Sequence, residues 1–143
     1  MSDWRNLDRL AACIAQKIVV DGGDAGKLEI LATKTLGVMQ ENGVYAGMLF
    51  LYSRPKGETD HATAIRNNLL DLLESDEIAT LTLSFPEGQS KPDGRGQWTK
   101  NKWADVAQHL TDHVTVDLDK LLLLKDLFEQ VLIYVRYGAK AAG

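Results

Sequence analysis

An all-α fold, a compact bundle of five to six helices in a single domain spanning 1–143, is what this sequence predicts. Three observations predict it. Between 28 and 39, Leu28, Leu31, Ala32, Thr35, Leu36 and Met39 recur at three- and four-residue steps, which aligns them on one stripe of a helix. Between 44 and 52 almost every side chain is apolar, so a helix there must be covered on several sides. That run is too short for a bilayer, which takes roughly 20 apolar residues, and it reads as the buried centre of the domain. Between 118 and 137 the apolar residues cover more than one stripe, as in a central helix or one that also meets another subunit.

The elements follow in chain order. A first helix is expected over 2–20, with Trp4, Leu7, Ala11, Ile14 and Ile18 as its inner stripe and Leu10 beside them. Asp3 and Asp8 stand early and Lys17 late, as the helix dipole favours. Asp21-Gly22-Gly23-Asp24 ends it, and Asp24 can cap the next helix. The second helix runs to Asn42-Gly43, a stop signal, and the apolar third helix follows. A Pro55- and Gly57-containing loop over 53–60 leads to a fourth helix, capped by Thr59 or Asp60 and running to about Glu74. Its stripe is Ala62, Ile65, Leu69, Leu72 and Leu73. The acidic end made by Asp71, Glu74, Asp76 and Glu77 reads as a solvated face.

The stretch 78–85 alternates and has strand periodicity. A lone strand is unstable and the one obvious partner is 114–116, so an extended segment or a two-stranded patch is expected. The stretch 86–97 has Gly and Pro at turn spacing and no apolar residue to bury, the composition of a mobile loop. Thr99 can cap a fifth helix, with Trp98 and Trp103 as a hydrophobic staple and Trp103, Ala107 and Leu110 as inner stripe. The last helix is expected to start at Asp117, with Val116 and Leu121 as staple, and to end in a frayed tail over 139–143.

Composition excludes several classes. The chain of 143 residues carries 45% apolar and 25% charged residues, ordinary for one globular domain with a real core. No apolar run follows a basic start and no transmembrane segment is visible, so a cytoplasmic protein without a membrane partner is expected. The single Cys13 cannot form an internal disulfide and reads as a small apolar filler. The formal charge of −4 argues against a free-standing nucleic-acid binder, although a local basic strip is compatible with it.

Catalytic motifs are missing. Gly22-Gly23 and Gly94-x-Gly96 lack the flanking pattern of a phosphate cradle, and no serine stands in a nucleophile-elbow context. His109 and His113 have the four-residue spacing of paired metal ligands, with Asp105 or Asp117 as added oxygens, which defines a small-enzyme reading. The blander reading is a half-exposed helix surface, and His61 reads as polar surface in a helix's first turn. The cations say more. Arg5 and Arg9, and Arg136 and Lys140, stand at i, i+4, with Lys125 near the latter face. Arg54 and Lys56 flank the loop after the third helix, and Arg66 follows one helix on. Lys91, Arg95, Lys100 and Lys102 outweigh Glu87 and Asp93 to give 85–102 a net +2. Such groups are ordinarily solvated surface; folded together, some could line a strip that contacts phosphates regardless of base sequence.

Two stretches resemble a known family. LATKTLGVMQENGVYAGMLFLYSR, with Asn42-Gly43 followed by Ala46, Gly47, Phe50, Leu51 and Arg54, looks like the core of the small helical subunit of type III-B CRISPR effector complexes, the Cmr complexes. LIYVRYGAKAA, with Tyr134, Arg136, Tyr137, Gly138 and Ala139, is similar to that family's closing helix. The resemblance covers about 1–75 and 98–143; 78–97 matches nothing in the family. It implies a non-catalytic subunit without cofactor or small-molecule substrate, copies of which stack into a short filament. The implied partners are the other effector subunits, further copies of the chain and the guide RNA–target RNA duplex. Arg54, Lys56, Arg66, Arg136 and Lys140 are the candidate phosphate contacts. A helical protein–protein adaptor with no nucleic-acid role is the alternative, favoured by the net acidity and the wide last helix.

Overall fold

The computed structural model describes residues 4–143, with side chains from Leu7 onward. The expected helix start at Ser2, the early Asp3 and the side chains of Trp4 and Arg5 lie outside the described residues. Among the described residues the chain is all-α: α1 (Trp4–Asp21), α2 (Ala25–Asn42), α3 (Val44–Tyr52), α4 (Thr59–Leu72), α5 (Asp76–Ala79), α6 (Trp103–His109) and α7 (Leu118–Ala142), with no strand. The 25-residue α7 lies along both α1 and α2; α4 covers α1 and α3, and α6 closes over α3.

The first half folds as its periodicity dictates. Leu10, Ala11, Ile14 and Ile18 of α1 are buried, with Leu7 packed at the edge of the core. Cys13, expected as a filler, instead lies on the exposed side of α1. Asp24 caps α2 by accepting the Lys27 N–H at 2.9 Å, and that bond holds its carboxyl below the usual range. The buried side of α2 is Leu28, Leu31, Ala32, Thr35, Leu36 and Met39, all six residues of the expected stripe. Gly43 stops the helix at φ 94° and ψ −176°, a region essentially closed to any residue with a Cβ.

Gly43 turns the chain so that α3 folds back against α2, and Gly47 sets how close it comes. A Cβ at 47 would stand 2.5 Å from Cε and 3.2 Å from Cβ of Met39. Val44, Met48 and Leu51 are thereby buried. α3 is covered on several sides, by α2, α4, α6 and α7, while Tyr45 at 36% and Leu49 at 41% exposure mark the part of its circumference that stays open. In α4, Ala62, Ile65, Leu69 and Leu72 are buried, with Leu73 just beyond. Neither Thr59 nor Asp60 caps it; a 3-10 turn (Lys56–Glu58) feeds straight into α4, and the Thr59 hydroxyl donates to the Pro55 carbonyl at 3.3 Å.

The second half departs further from periodicity. The segment 78–85 pairs with no strand: Ile78 belongs to the short α5, Thr82 is left-handed at φ 55°, and Val114 sits in a π turn (Leu110–Val114). Its apolar residues are nonetheless inside; Ile78, Leu83 and Phe85 are buried. Side chains replace ladder partners: the Ser84 hydroxyl donates to the Leu73 carbonyl at 3.0 Å, and His109 Nε2–H to the Leu83 carbonyl at 2.7 Å. The segment 86–97, expected as a mobile loop, closes on itself through Gly88 N–H to Trp98 O and Lys91 N–H to Gly96 O, both 2.8 Å. A single antiparallel bridge joins Ser90 and Gln97.

α6 starts three residues later than the Thr99 cap implied, at Trp103, with no side-chain cap. Thr99 spends its hydroxyl on the Asn101 N–H at 3.1 Å. The two tryptophans do not staple: Trp98 packs edge-on to Phe85 and Trp103 packs on Tyr45 and Tyr52. Val106, His109 and Leu110 form the buried stripe in place of Trp103, Ala107 and Leu110. Asp117 caps α7 as expected, accepting from Lys120 N–H at 3.1 Å. Val116 is 71% exposed, so its staple with Leu121 is open. No frayed tail follows; α7 continues to Ala142 because Ala139 is buried.

Candidate nucleic-acid interface

Two of the five candidate cations, Arg54 and Arg66, lie over aromatic rings of α3. Arg54 leaves the end of α3, donates from Nε to the Phe50 carbonyl at 3.0 Å, and lies with its guanidinium carbon 3.7 Å from the Phe50 ring centre. Arg66, on α4, lies 4.1 Å over the Tyr52 ring. Lys56 is exposed on the 3-10 turn between them in sequence. Both guanidinium groups thus lie over aromatic rings, which restricts their rotamers. The Arg66 Nε is buried and has no hydrogen-bond partner among the described residues.

The platform beneath Arg66 runs deeper than the cations alone suggest. The Tyr52 hydroxyl donates to the Lys100 carbonyl at 2.5 Å, and its ring packs on Trp103 at 5.3 Å. Burial pushes the Tyr52 pKa up to about 12, with Arg66 opposing and Glu87 adding, so the phenol stays a donor at neutral pH. Glu87 accepts the Lys100 N–H at 2.6 Å, and Lys100 Nζ reaches Asp71 at 3.3 Å. The sequence alone did not bring Tyr52, Trp103, Glu87 and Lys100 together. Tyr52 stood in an apolar run, and the 85–102 segment gave no sign that it returns to α3.

Arg136 and Lys140 stand elsewhere. Both are exposed one turn apart on α7, and Arg136 leans 5.7 Å from the Tyr137 ring. No hydrogen bond, ion pair or ring contact links them to the Arg54–Arg66 corner among the described residues. Lys125 is committed to Glu129 at 2.8 Å.

Asp105, His109 and Asp117, three of the residues proposed for chemistry, are engaged in structure. Asp105 is 2% exposed and takes Lys91 Nζ at 2.5 Å and the Thr99 N–H at 3.0 Å. Burial raises its pKa, but the Lys91 ammonium and the two hydrogen bonds outweigh that and hold the carboxyl below the usual range. His109 is buried, not half-exposed; burial lowers its pKa against the opposing Leu83 bond, and the neighbouring His113 lowers it further. The His109 and His113 rings are 5.2 Å apart, but Asp105 faces Lys91 and Asp117 caps α7. Among the described residues no three His, Cys, Asp or Glu side chains converge as metal ligands. His61, expected on the surface, is buried and donates from Nδ1 to the Gly22 carbonyl at 2.5 Å, tying α4 to the α1–α2 turn. Among the described residues no helix is long and apolar enough to cross a membrane. Comparison with protein-family models, with curated proteins and with solved structures finds no match to this chain.

Proposed function

We propose that this chain is a non-catalytic structural subunit of a type III CRISPR RNA-guided effector complex, one that helps hold target RNA along the guide. The carrying observation is the corner at the end of α3. The segment with the family resemblance, α2–Gly43–α3, ends in Arg54 over the Phe50 ring, and Arg66 of α4 lies over the Tyr52 ring of the same helix. Two guanidinium groups over aromatic rings of α3, with Lys56 exposed in the turn that follows it, suit the phosphates of an RNA duplex whose base pairing carries the sequence choice. Arg136 and Lys140 form a second, separate contact in this reading, and copies of the chain stack beside the backbone subunits. No bond is made or broken here; Asp105, His109 and Asp117 work in holding the fold.

Co-expression with the neighbouring genes tests the proposal. The chain is expected to co-purify with a guide-RNA complex, and recovery as free protein only overturns it. Arg54→Glu and Arg66→Glu should weaken RNA retention and each lower the slope of log affinity against log salt by about one unit. A second reading, a helical adaptor without nucleic acid, is favoured by the exposed Val20, Ile30, Val116, Leu118 and Leu122 and by the charge of −4. Binding to RNA-loaded subunits that ignores salt would select it.

A further inference from the structure

We propose that Asn42 is a site of spontaneous modification, deamidated through the backbone nitrogen of Gly43, and that the α2–α3 hairpin holds the reaction shut until it opens. Among the asparagines, at 6, 42, 67, 68 and 101, only Asn42 precedes a glycine. No side chain at 43 then shields the nitrogen that attacks the carboxamide carbon. Asn42 is exposed, and a Cβ on Gly43 would meet nothing within 4 Å, so water reaches the site. The guard is conformational, not steric. Asn42 ends α2, and the Gly43 N–H donates to the Met39 carbonyl at 2.8 Å. The Gly43 carbonyl in turn accepts the Gly47 N–H of α3 at 3.0 Å, so both helices clamp the residue. Closing a five-membered ring needs the Gly43 nitrogen free. It also brings Cβ of Asn42 and that nitrogen onto one side of the Cα–C bond, a rotation away from the helical ψ of about −42°. The folded hairpin forbids both.

The reaction balances with water alone. The Gly43 nitrogen gives its proton to a solvent base and bonds to Cγ of Asn42. The Cγ–Nδ2 bond breaks, and ammonia leaves with a proton taken from water. Water then opens the cyclic imide. Cleavage between Cγ and the nitrogen leaves aspartate at 42; cleavage at the backbone carbonyl leaves isoaspartate, whose main chain runs through Cβ and Cγ. Each product weakens the hairpin. Either one adds a negative charge beside the exposed Glu41, at the negative pole of the α2 dipole. Isoaspartate also lengthens the main chain by one carbon. That displaces the Gly43 N–H from the Met39 carbonyl and Gly47 from its close seat on the Met39 side chain. Opening thus permits a change that favours further opening, and the step runs one way.

Peptide mapping by mass spectrometry of the pure, RNA-free chain, aged at mildly alkaline pH, tests this. Aspartate and isoaspartate at 42 should accumulate in denaturing urea, and at least about tenfold more slowly in the folded chain. Met39→Ala removes the seat of α3. It should raise the folded-state rate by at least about tenfold and leave the rate in denaturing urea unchanged. Sub-denaturing urea on the unaltered chain should raise the rate too, so the test stands even where the variant does not fold. The aged chain, separated by its added charge, should unfold at lower urea than fresh protein. Four outcomes would each overturn the proposal: no product in denaturing urea, equal rates folded and unfolded, a folded-state rate indifferent to both Met39→Ala and urea, or an aged chain as stable as the fresh one. RNA takes no part in the measurement, so this proposal and the RNA reading fail separately.

Discussion

Asp105 shows how much one side chain can organise. It joins the 86–97 segment to α6 through Lys91 and fixes the Thr99 amide, all from a site 2% exposed. Removing one partner of such a pair strands the other and costs several kcal/mol. Lys91 keeps 24% exposure and can turn to water, so Asp105→Ala should cost about 3 kcal/mol, the lower end of that range, in a urea titration. The pH dependence has a definite sign. A carboxyl held below its ordinary value stabilises the fold above that value and loses the contribution as pH falls through its lowered pKa. The Asp105→Ala variant should therefore show a smaller acid-induced loss below about pH 4. His109 acts in a different window. Its lowered pKa means that the unfolded chain takes up a proton first, so stability falls as pH drops below 6.5. In His109→Gln, which can still donate to the Leu83 carbonyl, that slope between pH 6.5 and 5 should flatten.

At the scale of elements, the α2–α3 hairpin depends on two glycines for two reasons. Gly43 adopts a backbone conformation that a Cβ forbids, so Gly43→Ala should destabilise by about 1–3 kcal/mol even though nothing crowds the site. Gly47 has an ordinary helical backbone but no room. Gly47→Ala would drive into Met39, whose flexible end can move while its Cβ at 3.2 Å yields less readily. Met39→Ala alone opens a cavity; combined with Gly47→Ala it should cost less than the two single changes added, a coupling of about 0.5–3 kcal/mol in a double-mutant cycle. Equal costs from independent sites would show that α3 does not lie on α2 as described. The segment 78–102 is the opposite kind of element. Its residues bond through side chains to α4, α6 and α3, so no local period announces its shape.

Among the described residues there is one core. Buried residues from α1 through α7, with Leu83 and Phe85 between them, form a single contiguous cluster. A single core predicts one cooperative transition, with tryptophan fluorescence and far-ultraviolet circular dichroism giving coincident curves in urea. Trp98 and Trp103 sit in the return segment and at the α3 platform, so an earlier fluorescence change would mean that this half opens first.

What the sequence determined by itself was whatever repeats with the period of a helix. The buried stripes of α1, α2 and α4, the caps at Asp24 and Asp117 and the stop at Gly43 all rest on interactions within four residues along the chain. Only the tertiary structure decided the rest, because it depends on residues that meet across 26 or more positions. It brought His109 to Leu83, His61 to Gly22 and Tyr52 to Lys100. A surface cation carries no apolar pattern, so nothing short of the packed bundle could say which of the scattered charges share a side.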